Sequence, residues 1–158
     1  MLAWRLARRI DRETAFTGIG SFRFGGRWNS AGRYAVYVSA SLATAALEIM
    51  VHAGVAAAIP NDEIAIRVVI PDKLRVQYVD LSDLPPDWQE PNHPACTALG
   101  DRWLASKRTA VLSVPSAVVP LERNLVLNPQ HDDFAQINVS DPGIPFRWDP
   151  RLISFLVA

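Results

Sequence analysis

The first half of the chain shows two hydrophobic patterns, one typical of a strand and one typical of a helix. Residues 34–39 are mostly β-branched, aromatic or small, which predicts a short strand. Residues 42–58 are rich in Ala, Leu, Ile and Met without a proline, which predicts a helix that is capped by Ser39 or Ser41 and ends before Pro60. Because apolar side chains occupy nearly every face of this helix, we expect it to be deeply buried.

The second half alternates short strand-like runs with proline-rich turns. Ile64, Ile66, Val68 and Ile70 stand at every second position, which predicts a strand with one face in the core. Further runs predict strands over residues 74–81, 109–114, 125–127 and 152–157, a helix over residues 95–106 and a long loop over residues 85–94. Together these elements predict an α+β fold with mostly antiparallel strands, in a single domain spanning residues 1–158.

Charge is balanced over the whole chain but unevenly distributed along it. The 16 basic residues equal the 16 acidic ones, so no global positive excess indicates a nucleic-acid or membrane partner. Residues 1–33, however, hold seven arginines against two acids, a net charge of +5. Two interpretations of this segment stay open: a solvated basic face and an anion-binding wall.

Cysteine usage and hydropathy indicate a cytoplasmic protein. Cys96 is the single cysteine, which excludes an intramolecular disulfide and a cysteine cluster for zinc. The N-terminal residues are interrupted by charge where a secretory signal needs an apolar core. No uninterrupted apolar run approaches the ~20 residues of a membrane span, so we also expect no membrane partner.

Glu48 is the first candidate for chemistry, because it is the only acidic residue between Gly32 and Asn61. An ionised carboxylate in an apolar helix is costly unless a cation or hydrogen-bond donors meet it. His52, one turn later, and an arginine from the Gly-rich segment of residues 17–32 are candidate partners. The alternative is a helix whose Glu48 face meets solvent.

Arg27 is the second candidate, since it follows Gly25 and Gly26 and precedes Trp28 and Asn29. Glycines allow the backbone to approach a ligand closely, and a guanidinium suits phosphate oxygens. The alternative is a hairpin turn with Arg27 in solvent. The glycines do not form a dinucleotide-binding fingerprint, because no strand and helix bracket them in the required order.

Ser116 follows Pro115, which interrupts strand pairing and can direct the serine into a cleft. The sequence lacks a nucleophile elbow, so we favour a hydrogen-bonding role for Ser116. The three histidines are scattered and lack the helical spacing of a zinc protease, and we therefore expect no metal site.

Five ordered motifs give the chain a family resemblance. They are GGRWNSAG at residues 25–32, YVS at 37–39, AALE at 45–48, VPSAVVP at 114–120 and NLVLNPQH at 124–131. In this order they resemble the RES domain family, which takes its name from an Arg, a Glu and a Ser. By position in the motifs these correspond to Arg27, Glu48 and Ser116, and the family's site tyrosine matches Tyr37. Trp88, GDRW at 100–103 and DPRL at 149–152 extend the resemblance over nearly the whole chain.

The resemblance implies the toxin of a type II toxin–antitoxin system that cleaves the nicotinamide–ribose bond of NAD. It also implies a split β-sheet with flanking helices, related to ADP-ribosyltransferases. NAD is expected as a consumed substrate, with no other cofactor and no metal. The expected protein partner is a cognate Xre-like antitoxin, in a complex compatible with a toxin homodimer and without direct nucleic-acid contact by the toxin.

The implied chemistry suits the residue types. Cleavage builds positive charge on the ribose, which the ionised Glu48 can stabilise. Arg27 is expected to hold the pyrophosphate or the facing ribose, Tyr37 to stack on nicotinamide or the sugar, and Ser116 to hydrogen-bond the substrate or orient Glu48. The expected NAD-contacting set is Arg27, Trp28, Asn29 and Tyr37.

Three functions remain in competition. The first passes ADP-ribose to water or phosphate and depletes NAD. The second is mono-ADP-ribosylation of a host protein at the same site. The third is a non-catalytic nucleic-acid-binding module built on the N-terminal arginines with Trp4 and Trp28, against which the zero net charge counts.

Overall fold

The computed structural model describes residues 1–53 and 62–154. The strands in these residues are β1 (Leu2–Arg8), β2 (Val36–Ser39), β3 (Glu63–Val69), β4 (Val76–Tyr78), β5 (Val111–Pro115), β6 (Arg123–Leu127), β7 (Asn138–Val139) and β8 (Ile144–Phe146). The helices are α1 (Ile19–Phe24), α2 (Leu42–Ala53), α3 (Pro94–Ser106) and α4 (Pro150–Ser154). This mixture confirms the predicted α+β class.

The strands form one sheet in the order β4-β5-β6-β2-β1-β3-β7, with β8 also paired to β3. All of these pairs are antiparallel except the parallel pair of β4 and β5. The junction between β1 and β2 is narrow: its register contains the single pair Trp4 and Ser39, whereas β1 pairs with β3 at seven positions. The sheet therefore divides into two halves that meet at this junction.

Both faces of the sheet are buried. Val36, Val38 and Leu125 belong to a core cluster on one face. Tyr37 and Val126 lie on the opposite face, where a second cluster packs β5 and β6 against three tryptophans: Trp28, Trp88 and Trp103. The second cluster contains residues of α3, so it ties the sheet to that helix and to the Gly-rich segment.

Helix α2 differs from its prediction in burial. The described part ends at Ala53, and residues 54–58 lie outside the described residues. Only Thr44 and Ala45 are buried in α2, while the side chains of Leu47 and Val51 are 39% and 60% exposed. The expectation of a deeply buried helix was wrong, because α2 packs on the sheet through one face and the sequence does not show that its outer face is uncovered.

The start of α2 decides between the two predicted caps. The Ser41 hydroxyl accepts a hydrogen bond from the Thr44 backbone N–H at 3.0 Å, and the helix begins at Leu42. Ser39 instead lies at the end of β2 and directs its hydroxyl to Asn124. Ser41 is therefore the helix cap, whereas Ser39 forms a hydrogen bond with Asn124.

The prediction of a strand over residues 152–157 was wrong for residues 152–154, the part that the structure describes. Residues 150–154 form helix α4, and residues 155–157 lie outside the described residues. The Asp149 carboxylate accepts the Arg151 backbone N–H at 2.9 Å, and Pro150 occupies the first helical position. An acidic cap followed by proline is a helix-start signal that outweighs the β-branched residues after it.

Among the described residues, no helix is both long enough and apolar enough to cross a membrane. The longest, α3, has 13 residues. It crosses close to the Gly-rich segment at Gly100, where a Cβ atom would lie 1.8 Å from the carbonyl oxygen of Trp28. The absence of a side chain at Gly100 is what allows this approach.

Replacement of Gly100 by alanine is expected to destabilise the protein strongly. Helix α3 has to move away from Trp28, which should lower the free energy of unfolding by about 3 kcal/mol and the Tm by roughly 10 °C. Thermal and urea unfolding measure the change. Gly20→Ala is the matched control, because a Cβ atom there meets nothing within 4 Å. A Gly100→Ala variant as stable as the wild type would contradict the packing described here.

Candidate active site

The carboxylate of Glu48 lies between helix α2 and the ends of β5 and β6. Its Oε1 atom accepts hydrogen bonds from Ser116 Oγ at 2.8 Å and from Asn124 Nδ2 at 2.5 Å. His52, a candidate partner from the sequence, contacts the Glu48 backbone carbonyl instead. Among the ion pairs of the described residues, none involves Glu48. Among the described residues, the side-chain partners of this carboxylate are therefore neutral donors, and no cation pairs with it.

Ser116 is buried just after β5, and its hydroxyl is held in one orientation. Its Oγ atom accepts the backbone N–H groups of Val118 and Val119 at 3.2 and 3.0 Å. With the oxygen lone pairs occupied, the hydroxyl proton is directed to Glu48. The turn after β5 therefore places Ser116 where it orients the carboxylate.

Arg27 lies against a loop, in contrast to the alternative in which it extends into solvent. Its Nη1 atom donates to the carbonyls of Trp88 and Glu90, both at 2.7 Å, and its Nη2 atom donates to the Gln89 carbonyl at 3.0 Å. The guanidinium also lies over the Trp88 ring, at 5.9 Å from its centroid. All these acceptors are neutral, so the positive charge of Arg27 has no carboxylate partner among the described residues.

Tyr37 on β2 directs its hydroxyl into the Gly-rich segment. The hydroxyl donates to Asn29 Oδ1 at 2.7 Å and accepts the Trp28 backbone N–H at 3.1 Å. Burial raises the pKa of Tyr37 well above its usual value, so the phenol stays protonated. A Cβ atom on Gly26 would lie 2.7 Å from the Tyr37 hydroxyl, which explains a glycine there.

Trp28 and Asn29 are almost completely buried, with 2% and 1% of their surface exposed. The Asn29 amide donates to the backbone carbonyls of Ser21, Ser30 and Arg33 and thereby closes the Gly-rich segment on itself. These two side chains therefore belong to the interior packing of the Gly-rich segment. Their expected contact with NAD stays a prediction.

Gln89 connects Arg27 to the turn that carries Ser116. Its backbone carbonyl accepts from Arg27, and its side-chain amide donates to the Ala117 carbonyl at 2.8 Å. Tyr37 is linked to Arg27 through Trp28 and Asn29, its hydrogen-bond partners, which directly follow Arg27 in sequence. These links join the four predicted site residues in one connected set, in which only Glu48 and Ser116 touch directly; Arg27 and Tyr37 are connected to them through Gln89 and through neighbours in the chain.

Three contributors to this set are not among the site residues predicted from the sequence. Gln89 stands in a polar loop whose sequence carries no recognisable signal. Asn124 and Ser39 both lie in family motifs, but the sequence assigns no role to Asn124 and indicates Ser39 only as a candidate helix cap. Each acts through a contact between segments distant along the chain; Ser39 and Asn124, for example, are 85 residues apart.

The N-terminal arginines do not form one uncompensated surface. Four of the seven pair with carboxylates: Arg8 with Asp11, Arg9 with Asp62, Arg12 with Asp141 and Arg33 with Asp101. Arg5 is partly buried and donates to the Tyr37 backbone carbonyl at 2.7 Å, and desolvation of its guanidinium lowers its pKa to about 10. The interpretation as a continuous anion-binding wall is therefore not favoured.

The histidines in the described residues serve backbone contacts. His93 and His131 accept the backbone N–H groups of Ala95 and Asp133 at the starts of short helical segments. Within residues 1–53 and 62–154, no group of three or more His, Cys, Asp or Glu side chains is placed to hold a metal ion.

The comparison with protein families decides the assignment. The model of the RES domain family matches residues 2–149. This chain belongs to the RES domain family. The match confirms the resemblance drawn from the five sequence motifs.

Several relatives of this RES-family chain align over nearly their whole length. Toxin Res of Photorhabdus laumondii subsp. laumondii is 36% identical, with 97% of each chain covered. Toxin Res of Yersinia enterocolitica serotype O:8 is 35% identical, with 96% of this chain and 99% of the relative covered. The Prs ADP-ribosylating toxin of Sphingobium sp. strain YBL2 is 34% identical, with 95% of each chain covered.

A solved structure shares the fold. A chain of the M. tuberculosis MbcT–MbcA toxin–antitoxin complex superposes with a TM-score of 0.73, at 21% identity, covering 98% of this chain and 87% of that one. At this identity the likeness shows the fold, and it supports the single-domain α+β arrangement.

Removal of the Tyr37 hydroxyl tests the contact between β2 and the Gly-rich segment. Tyr37→Phe leaves Asn29 Oδ1 and the Trp28 N–H without their partner, which should lower the free energy of unfolding by about 1–3 kcal/mol near neutral pH. Because the pKa of Tyr37 is raised in the folded state, its stabilisation is present below the unfolded pKa of about 10 and is lost as pH rises above it.

The measurement is urea unfolding of the wild type and Tyr37→Phe between pH 7 and 11. The wild-type advantage should stay constant up to about pH 10 and then shrink. Tyr34→Phe is the control, because the Tyr34 ring stacks on Phe22 at 4.5 Å and its hydroxyl has no hydrogen bond to a described residue. An advantage that grows with pH would show that Tyr37 ionises more easily in the folded protein.

Proposed function

We propose that this chain is the toxin of a toxin–antitoxin pair and that it cleaves the bond between nicotinamide and ribose in NAD. The observation that carries the proposal is the position of the Glu48 carboxylate, whose Oε1 atom is held by two neutral donors, Ser116 and Asn124. Family membership and the relatives named as toxins support the biological role.

The arrangement at Glu48 suits the charge that develops in this reaction. Departure of nicotinamide leaves an oxocarbenium ion on the ribose, and a fixed carboxylate stabilises that cation. A salt bridge from an arginine or from His52 would offset the negative charge. Ser116 and Asn124 hold the carboxylate without doing so, because a hydroxyl and an amide carry no net charge.

Arg27 is proposed to supply the positive charge that attracts the pyrophosphate. Its guanidinium already fixes three carbonyls of the loop containing Gln89, so it also shapes the wall of the site. Tyr37 is proposed to contribute its ring surface, while its hydroxyl maintains the Gly-rich segment. Trp28 and Asn29 are proposed to act beneath this surface, as the support of the NAD site.

The proposed reaction uses no metal and no cofactor beyond NAD as substrate. Nicotinamide carries its positive charge before cleavage and leaves as a neutral molecule, so the departure requires neither a Lewis acid nor a general acid. The expected partner is an Xre-like antitoxin, a view that the likeness to the toxin–antitoxin complex supports. The proposed location is the cytoplasm, where NAD is available.

The acceptor of ADP-ribose is proposed to be water or phosphate. The runner-up is transfer to a host protein, and the name of the Sphingobium relative, an ADP-ribosylating toxin, favours it. The third candidate, a nucleic-acid-binding module, is disfavoured by the balanced net charge and by the ion-paired N-terminal arginines.

Substitutions at Glu48 and Arg27 test the proposed site. Glu48→Gln keeps the size of the side chain and removes the charge, and we expect at least a roughly 100-fold loss of NAD consumption, together with loss of growth arrest. Arg27→Ala is expected to abolish both as well. NAD loss by purified protein and growth after induction are the measurements.

Glu13→Gln is the matched control, because it removes the same charge at an exposed position. Circular dichroism and thermal unfolding establish that each variant is folded. Full NAD consumption by folded Glu48→Gln would remove the carboxylate charge from the mechanism.

Labelled NAD separates the two enzymatic candidates. With the label in the adenylate half, cleavage to water or phosphate leaves radioactivity in small molecules of the lysate. Transfer to a host protein instead labels one protein band at low NAD turnover, and this result would favour the runner-up. The same reaction in excess chelator should run at an unchanged rate, whereas activity restored by one divalent ion would refute the metal-free reaction.

A further inference from the structure

The Glu48 carboxylate uses its two oxygens differently. Oε1 receives both hydrogen bonds, from Ser116 and from Asn124. Oε2 has no hydrogen-bond partner among the described residues, and it is not one of their buried polar atoms without a partner. The held oxygen therefore faces the protein, and the other oxygen is the one that a ligand can reach.

The Asn124 amide can donate a hydrogen bond to Glu48 in only one orientation. Its Nδ2 must face Glu48, because the opposite orientation would place the amide oxygen against the carboxylate oxygen. The carboxylate sets this orientation because it accepts from Nδ2, and Ser39 holds the other side of the amide by donating to Asn124 Oδ1 at 2.7 Å. When the amide oxygen accepts a hydrogen bond on one side, the amide N–H groups point to the other side.

The backbone fixes this pair before any side chain is considered. Ser39 and Asn124 are direct partners in the antiparallel register of β2 and β6. Directly opposite residues lie on the same face of the sheet, about 5 Å apart. The two successive hydrogen bonds from Ser39 to Asn124 and from Asn124 to Glu48, called the relay below, thus start from a rigid part of the fold.

We infer that Asn124 is a positioning residue that fixes the orientation of the Glu48 carboxylate, and that Ser39 acts on the reaction only through Asn124. The inference rests on the proposed role of Glu48. The inference goes beyond that role, because it assigns the second donor of Glu48 to Asn124. This residue lies on β6, a strand that carries none of the four predicted site residues.

The test is a double-mutant cycle of Ser39→Ala and Asn124→Ala. Asn124→Ala should lower kcat about 10- to 100-fold, the effect of losing a hydrogen bond to a charged group, while KM for NAD changes by less than about threefold. Ser39→Ala alone should lower kcat by a smaller factor. In the Asn124→Ala background, Ser39→Ala should have no further effect on kcat.

A merely structural role would produce a different pattern. Two independent losses of packing would multiply in the double variant, and they would not select kcat over KM. Ser140→Ala is the matched control, because it removes one hydroxyl that accepts the Arg67 backbone N–H at the far side of the sheet. Wild-type kcat in Asn124→Ala, or multiplicative effects in the cycle, would overturn the inference.

A second variant covers the case in which Asn124→Ala fails to fold. Asn124→Asp keeps the shape of the side chain and the contact with Ser39 but places an oxygen against Glu48. It should lower kcat at high pH, where both carboxylates are ionised and repel, and less at low pH, where one of the pair is protonated and donates to the other. Wild-type kcat of folded Asn124→Asp over the whole pH range would contradict the inference.

A spectroscopic readout separates failure of the inference from failure of the proposed function. If purified protein consumes no NAD, the proposed function fails, and the relay can still be observed. The side-chain amide protons of Asn124 in a ¹⁵N-labelled sample should shift in both Glu48→Ala and Ser39→Ala. Unchanged resonances in these variants would overturn the relay whatever the substrate is.

Discussion

The pairing of β2 with β6 is the constraint on which the candidate site depends. It sets Tyr37 opposite Val126 and Ser39 opposite Asn124, so two polar positions of β2 and one of β6 share a face of the sheet. Side chains alternate between faces, and a slip of one residue in this register would turn all of them to the other face. The contacts of Glu48 and of the Gly-rich segment both start from this pairing.

Among the described residues, the side-chain partners of Glu48 are uncharged, an arrangement that favours the proposed function over stability. Two hydrogen bonds from uncharged groups are a weaker compensation for a partly enclosed carboxylate than an ion pair with good geometry. The protein places an arginine, Arg27, within the same connected set of contacts and yet binds it to backbone carbonyls. Glu48 and Arg27 thus do not pair with each other, which suits the proposed substrate, a dinucleotide with a cationic ring and an anionic pyrophosphate.

Local patterns predicted part of the fold and failed where packing decides. The alternation of residues 64–70 identified β3, and the composition of residues 95–106 identified α3 nearly to its ends. β1 was missed because Arg5 and Arg8 interrupt its apolar run, although its pairing with β3 tolerates them. The burial of α2 was misjudged because composition does not show which face another element covers. For the site, an acid in an apolar helix indicated Glu48, whereas Gln89 and Asn124 acquire their importance only from contacts across the fold.

The two ends of the sheet have a consequence for association between molecules. One end is β4 with three residues, and the other is formed by β7 with two and β8 with three, so neither end offers a long strand to another chain. Lys73 and Arg75 stand just before β4, and like charges on approaching copies repel. Short and charged edges are a recognised protection against strand-to-strand aggregation. Such edges would thereby help copies of this chain to keep their native form at high concentration.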